Sequence, residues 1–431
     1  MLKHCLKWVS IAFSAAGTLL AGGFAPAAVA ASPLAKAHWI GTWGAAPEPP
    51  RPGVGKFAGT RSFSDQTIRQ LVRISAGGTH LRIHFTNEYG TNPLHIGAAS
   101  VALVGPSGAL EPGTGRTVTF AGRPDAWIPP GAPYLSDAID LVVKPLATVA
   151  ISIYLPGHTD PCTCHALGLE TAYVSGPGNF VDKPFDAAQT IQSRAFISDV
   201  DVETMSSGGT IVALGDSITD GFGSTPNANS RWPDLLADRL VAQHGREVWG
   251  VVDMGISGNR VLADGVGDSA LRRFDRDVLS VPGVRYVIFL EGVNDLINSY
   301  GPSSRPLPKD PSAASTKATA AALIAGYRQI IERAHAQGIK VLGATLTPYA
   351  GAAFGKRAVL YSPQGEAQRE MINRWIRTSG AFDGVLDFDA AWRDPKDPTR
   401  IILSLQHGDH LHGNDAGYQA LVGSINLALF R

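Results

Sequence analysis

The run Gly209-Thr210-Ile211-Val212-Ala213-Leu214, broken at once by Gly215-Asp216-Ser217, decides how this chain folds. Short, apolar and rich in β-branched side chains, it reads as a strand buried on both faces and ended by polar turn residues. Residues 231–243 then carry helical spacing at Trp232, Leu235, Leu236, Leu240 and Val241, so a helix follows the strand. The alternation repeats. Strand-like runs over 246–254, 285–290, 339–346 and 385–388 are separated by helical patterns over 317–337 and 364–378, with Gly338 as a stop signal after the first of these. Such alternation predicts a parallel sheet with helices on both faces, a three-layer, flavodoxin-like α/β domain over residues 210–431.

In that architecture Ser217 falls at the carboxyl end of a strand, the edge where open α/β sheets bind ligands. A serine hydroxyl is a weak nucleophile until a neighbouring base takes its proton, and Gly-Asp-Ser after a strand also suits a plain turn or helix cap. The tail Gln406-His407-Gly408-Asp409-His410-Leu411-His412 holds the complement. A carboxylate three residues before an imidazole can take the Nδ1 proton and leave Nε2 free as a base, which makes Asp409 and His412 the expected pair; His410 is the rival base. The same tail also reads as a polar loop before a last helix, capped and begun by Asp415 and Gly417 and running to Phe430. Acyl transfer further needs donors aimed at the developing oxyanion. Gly258, after the 246–254 strand, could offer an unobstructed backbone N–H, and Asn294, after the 285–290 strand, an amide; each also fits an ordinary Gly/Asn turn.

Gly-Asp-Ser, then Gly258, then Gly292-Val293-Asn294-Asp295, then Asp-x-x-His, each block after an apolar strand, resembles the SGNH branch of the GDSL hydrolases. The resemblance covers about half the chain and implies a serine esterase. Ser217 would be the nucleophile, His412 the general base, Asp409 its orienting partner, and Gly258, Asn294 and the Ser217 N–H the oxyanion hole. Ile218 stands where the eponymous motif has leucine, a change that conserves volume. The implied chemistry needs no metal or organic cofactor. The segment from Gly215 to Gly223 lacks the Gly-Lys-Ser/Thr of a phosphate loop and the spaced glycines of a dinucleotide fingerprint.

A length of 431 residues predicts two domains, and 44% hydrophobic residues a folded protein. Lys plus Arg and Asp plus Glu number 37 each, so nothing advertises nucleic acid or an anionic membrane as a partner. Residues 1–30 read as a cleavable signal peptide: a basic start at Lys3, His4 and Lys7, an apolar stretch, and the small-x-small Ala28-Val29-Ala30. A secreted or periplasmic chain without a stable membrane anchor is therefore expected. Of the three cysteines only Cys162 and Cys164 then remain, in Pro161-Cys162-Thr163-Cys164-His165. An oxidising compartment favours a bridge between them, against the alternative of two sulfurs and His165 as metal ligands.

Residues 38–200 read as β. Leu81, Ile83 and Phe85 alternate with polar neighbours, as do Val149, Ile151, Ile153 and Leu155, and turn clusters punctuate them. An all-β, jelly-roll-like sandwich is expected there, followed by a Ser/Gly-rich linker over 201–209. Carbohydrate or small-molecule acyl esters are the expected substrates; a lipid-directed esterase and a non-catalytic glycan binder are the alternatives. Loops over 301–315 and 351–363, carrying Phe354 and Tyr361, are candidates for shaping the pocket.

Overall fold

The structure, a computed structural model, describes residues 36–50, 61–243, 247–302, 318–354 and 358–430. The expected signal peptide at 1–30 lies outside these residues, as does most of the 301–315 loop. No helix among the described residues is long and apolar enough to cross a membrane.

Gly209–Gly215 is buried at every position and runs parallel between Trp249–Gly255 and Val284–Leu290. Lys340–Ala344 and Gly384–Leu386 complete a five-stranded parallel sheet. Counted along the chain its order is 2-1-3-4-5, the doubly wound flavodoxin-like arrangement. A strand buried on both faces cannot alternate polar with apolar side chains, which is why the sequence there is a continuous apolar run. Gly215 pairs with Gly255 on one side and Leu290 on the other, so three neighbouring strands end level and their loops open at one edge.

Helices cover the sheet with one apolar face each. Ala320–His335 buries Leu323, Tyr327, Ile330, Ile331 and Ala334, and Thr319 caps it by accepting from the Ala322 N–H. Each such Leu or Ile contributes about 1.5–3 kcal/mol of burial, which offsets the cost of ordering the chain. Two boundaries differ from the sequence pattern. The last strand stops at Leu386 because the Asp387 side chain caps the helix Phe388–Trp392 through the Ala390 N–H. The final helix is Asp415–Ser424 rather than a run to Phe430, and Arg239 takes the carbonyls of Val422 and Ile425 where it ends.

Among the described residues, the amino-terminal half holds two large antiparallel sheets and two short two-stranded ones. One has the order His38–Gly44, Ile197–Thr204, Gly78–Thr86, Pro133–Leu135, with Ile139–Val143 also paired to Gly78–Thr86. The other runs Gln189–Ile191, Ala172–Pro177, Ser64–Arg73, Thr148–His158, Ala98–Leu103, Arg116–Thr117. Ile83, Phe85 and Val202 from the first and Ile68, Val101 and Ile151 from the second belong to one buried cluster.

The expected linker over 201–209 is corrected. Asp201 to Thr204 lie inside the strand Ile197–Thr204, where Val200 and Val202 are buried and Asp201 accepts from His84 Nε2 at 2.7 Å and Arg82 at 3.3 Å. Only residues 205–208 connect the halves, too few to let them drift apart. The halves also interlock: Gly41 donates to Thr210 Oγ1 at 2.9 Å, and the Ser75 hydroxyl, which donates to Thr42 O at 2.6 Å, accepts from Val251 N at 2.8 Å. A Cβ on Gly250 would collide with the Gly41 carbonyl. The described residues from Lys36 onward form one compact unit.

Candidate active site

Ser217 opens a single helical turn, Ser217–Asp220, at the end of the central strand. Asp216 is its N-cap, accepting from the Ile218 N–H at 2.9 Å, and Gly221 closes the turn with φ of 87°. That sharp strand-to-turn step fixes the Ser217 side chain at the sheet edge. Its Oγ lies 2.7 Å from Nε2 of His412, and Nδ1 of His412 lies 2.6 Å from Oδ2 of Asp409. An ionised carboxylate can only accept, so the ring proton sits on Nδ1 and Nε2 is free to accept from the serine hydroxyl.

The loop that carries the pair is wound tightly. Gln406 Oε1 accepts from the Gly408 and His410 N–H groups, and the His407 N–H donates to the His412 carbonyl at 2.8 Å. Asp409 Oδ1 takes the backbone N–H groups of Leu411 and His412, both at 3.0 Å. Burial works to raise the Asp409 carboxyl, but its bonds from the His412 ring and the two backbone donors outweigh that and hold it at about 2. His410, the rival base, packs beside Gly351 instead. Asp415 is not the cap of the last helix: Asn414 is, accepting from the Gly417 N–H, while the Asp415 carboxylate takes Thr225 N and Ser230 Oγ and ties the serine loop to that helix.

Gly258 stands in the loop after one of the two strands that flank the serine strand, and Asn294 in the helix that follows the other. Gly258 has φ of 85°, and a Cβ there would sit 3.1 Å from Val266. Both facts call for glycine. Asn294 lies in the first turn of Val293–Tyr300, and its Nδ2 is buried with no hydrogen-bond partner among the described residues. A buried amide left unpaired costs about 1–3 kcal/mol, a cost that makes sense where a ligand oxygen supplies the partner.

Several supporting residues carried no clear sequence signal. Arg273 is fully buried and donates to Met254 O at 2.6 Å, Gly215 O at 2.9 Å and Asn259 Oδ1 at 3.0 Å, joining the ends of two strands. Asp295 accepts from the Val261 and Leu262 N–H groups and anchors the chain just past Gly258; burial pushes it up to about 6. Burial likewise pushes Asp216 up to about 7 and Glu291 well above the usual carboxylate range. Charged residues are mostly exposed, so sequence reading has no reason to bury these. Cys162 and Cys164 are joined by a disulfide, with Cα atoms 5.2 Å apart, and both ring nitrogens of His165 face oxygen atoms of other residues rather than those sulfurs. The Tyr361 ring packs 5.4 Å from that of Tyr349. The Phe354 side chain lies outside the described residues.

Residues 213–420 match the model of the GDSL-like lipase/acylhydrolase family. Among solved structures, a GDSL-like lipase from Bacteroides thetaiotaomicron is 18% identical with a TM-score of 0.36, covering 51% of this chain and 87% of its own. An acetyl xylan esterase from Geobacillus stearothermophilus is 20% identical with a TM-score of 0.36, covering 50% of this chain and 92% of its own. No curated protein matches the chain. Residues 213–420 are thus a GDSL-like lipase/acylhydrolase domain, which supports a carboxylic ester hydrolase.

Proposed function

We propose that this esterase removes short acyl groups, acetyl above all, from carbohydrate through an acyl-enzyme formed on Ser217. The reading rests chiefly on the contact chain Ser217 Oγ to His412 Nε2 at 2.7 Å and His412 Nδ1 to Asp409 at 2.6 Å. In the first step Ser217 Oγ attacks the ester carbonyl while its proton passes to His412 Nε2. The oxyanion is held by the N–H groups of Ser217 and Gly258 and the Asn294 amide. Collapse expels the alcohol, which leaves with the proton from His412. Water then repeats the sequence on the acyl-enzyme, releasing the acid and restoring the serine.

A short acyl group is favoured by crowding, since Ser217 is only 5% exposed and the Phe222 ring lies 4.5 Å from that of His412. The carbohydrate half of the reading is supported by the β region, which we take to be a sandwich. Its Trp127 is 60% exposed and stacked on His95 at 4.1 Å, a flat rigid face suited to a sugar ring. Residues 1–30 are proposed to direct export, placing the enzyme where polysaccharides are met.

The test is release of free acid from acetylated polysaccharides, short-chain aryl esters and lysolipids, with Ser217→Ala as control. Acetate release from polysaccharide, abolished in Ser217→Ala, is expected. Preference for long-chain lipid esters would replace the substrate reading, and undiminished turnover in Ser217→Ala would end the assignment of the nucleophile.

A further inference from the structure

His165 is a buried ionisable group that the proposed mechanism leaves without a task. It sits directly after the Cys162–Cys164 disulfide and is 3% exposed. Its Nδ1 lies 3.0 Å from the Ala46 carbonyl and its Nε2 lies 3.0 Å from Oδ1 of Asp220. Carbonyl and carboxylate oxygens only accept, whereas a neutral imidazole has a single N–H to give. Both contacts are satisfied together only by the protonated ring.

The charged groups facing the ring all favour that form. Asp220 comes from the turn that begins with Ser217, and Glu48 Oε1 lies 3.7 Å from Nδ1, from the loop after the strand His38–Gly44. Arg231 and Asp253 act on the pair from a further layer, through their interaction with Asp220. Burial by itself pulls the ring's pKa down, and Asp220, Glu48 and the Ala46 carbonyl more than reverse it, to about 9. Glu48 also fixes the strand that bears the ring: its N–H donates to Cys164 O at 2.9 Å and its Oε1 accepts from Ala166 N at 2.8 Å.

Asp220 passes the constraint onward. Its other oxygen, Oδ2, accepts from Ser257 twice, from the N–H at 2.9 Å and the hydroxyl at 2.7 Å. Ser257 is the residue immediately before Gly258. We propose that His165 is a positioning residue of the esterase: its imidazolium holds Asp220, Asp220 holds Ser257, and the Gly258 N–H is thereby aimed at the oxyanion. The proposal rests on the Ser217 reading above, and it makes the β region part of the active site rather than an appendage. It touches no substrate; it acts through Asp220 and Ser257 alone.

The experiment compares wild type, His165→Gln, Asp220→Asn, the double variant and Ser217→Ala on p-nitrophenyl acetate, recording kcat, KM and Tm. His165→Gln keeps one amide donor but loses the charge and the second donor. A kcat lower by about 10- to 100-fold with KM within about twofold is expected, a smaller loss than deletion of an oxyanion donor itself. The double variant is expected to be no slower than the slower single one, because the two residues act in one chain of contacts. Wild-type kcat is expected to fall as pH rises through about 9, where the ring loses its proton, with no such limb in His165→Gln. If His165→Gln fails to fold, Ser257→Ala removes one link of the same chain and carries the same kcat and KM test. Wild-type kcat with the alkaline limb intact in His165→Gln overturns the proposal, even if Tm drops, because the contact is then purely structural. Turnover retained in Ser217→Ala overturns the esterase reading and this proposal together; an inactive Ser217→Ala beside a fully active His165→Gln overturns this proposal alone.

Discussion

Asn294 and Glu291 lie three residues apart at the end of one strand, yet they hold unpaired polar atoms for different reasons. The Asn294 amide is buried with no partner among the described residues, and in the proposed mechanism it acts when a carbonyl oxygen has gained charge. Asn294→Ala should therefore lower kcat by about 100- to 1,000-fold with little change in KM, and steady-state kinetics showing unchanged kcat would remove it from the oxyanion hole. Glu291 has both carboxyl oxygens buried without a hydrogen bond among the described residues, and the Arg273 guanidinium 3.7 Å away does not reverse the effect of burial. Its folded pKa is raised, so its contribution to stability is whole below the ordinary value of 4.5 and is lost as pH climbs through the folded value. Glu291→Gln, neutral at every pH, should match wild type in Tm at acidic pH and exceed it near pH 8. Parallel Tm curves across that range would show that Glu291 is not carrying an uncompensated charge.

At the scale of elements, the proposed site draws on three strand-end turns held by contacts with neighbouring segments. Asp216 caps the serine turn, Asp295 anchors the chain after Gly258, and Arg273 joins the carbonyl ends of two strands. Gly258 favours glycine, because its φ of 85° costs a side chain about 1–2 kcal/mol and Val266 leaves a Cβ little room. Gly258→Ala should lower Tm modestly and kcat by about tenfold or more, since relieving the strain rotates the N–H away from the oxyanion. A lowered Tm with wild-type kcat would mean that this N–H is not a donor. The strands and helices of this half were legible in the sequence because buried parallel strands and amphipathic helices impose different apolar periods. The end of the final helix was not, because Arg239 from another helix takes its last carbonyls. Nor was the cap at Asn414: Asp415 is an equally good capping type, and only the demand of Thr225 and Ser230 for a carboxylate moves it by one position.

Across the whole molecule, the two halves are expected to unfold together. The four-residue connection over 205–208, the Gly41–Gly250 approach, the Ser75 bridge to Val251 and the buried His165–Asp220 pair all cross between them. Calorimetry should show one transition, and Gly250→Val, which forces the Gly41 backbone away, should lower its midpoint and weaken activity together; two separated transitions in the wild type would contradict this. By itself, the sequence determined the α/β half, the order of its strands and helices, and the residue types at Ser217, Gly258, Asn294, Asp409 and His412. Those follow from local periodicity, from turn chemistry and from an acid–imidazole spacing that operates within a single loop. Only the tertiary structure decided that Ser217 and His412, 195 residues apart, meet at 2.7 Å, that Arg273 and Glu291 are buried, and that a histidine of the β half reaches Asp220 of the serine turn. Such contacts arise where level strand ends and a packed second half bring distant segments together, and the free energy of each depends on neighbours that no local pattern records.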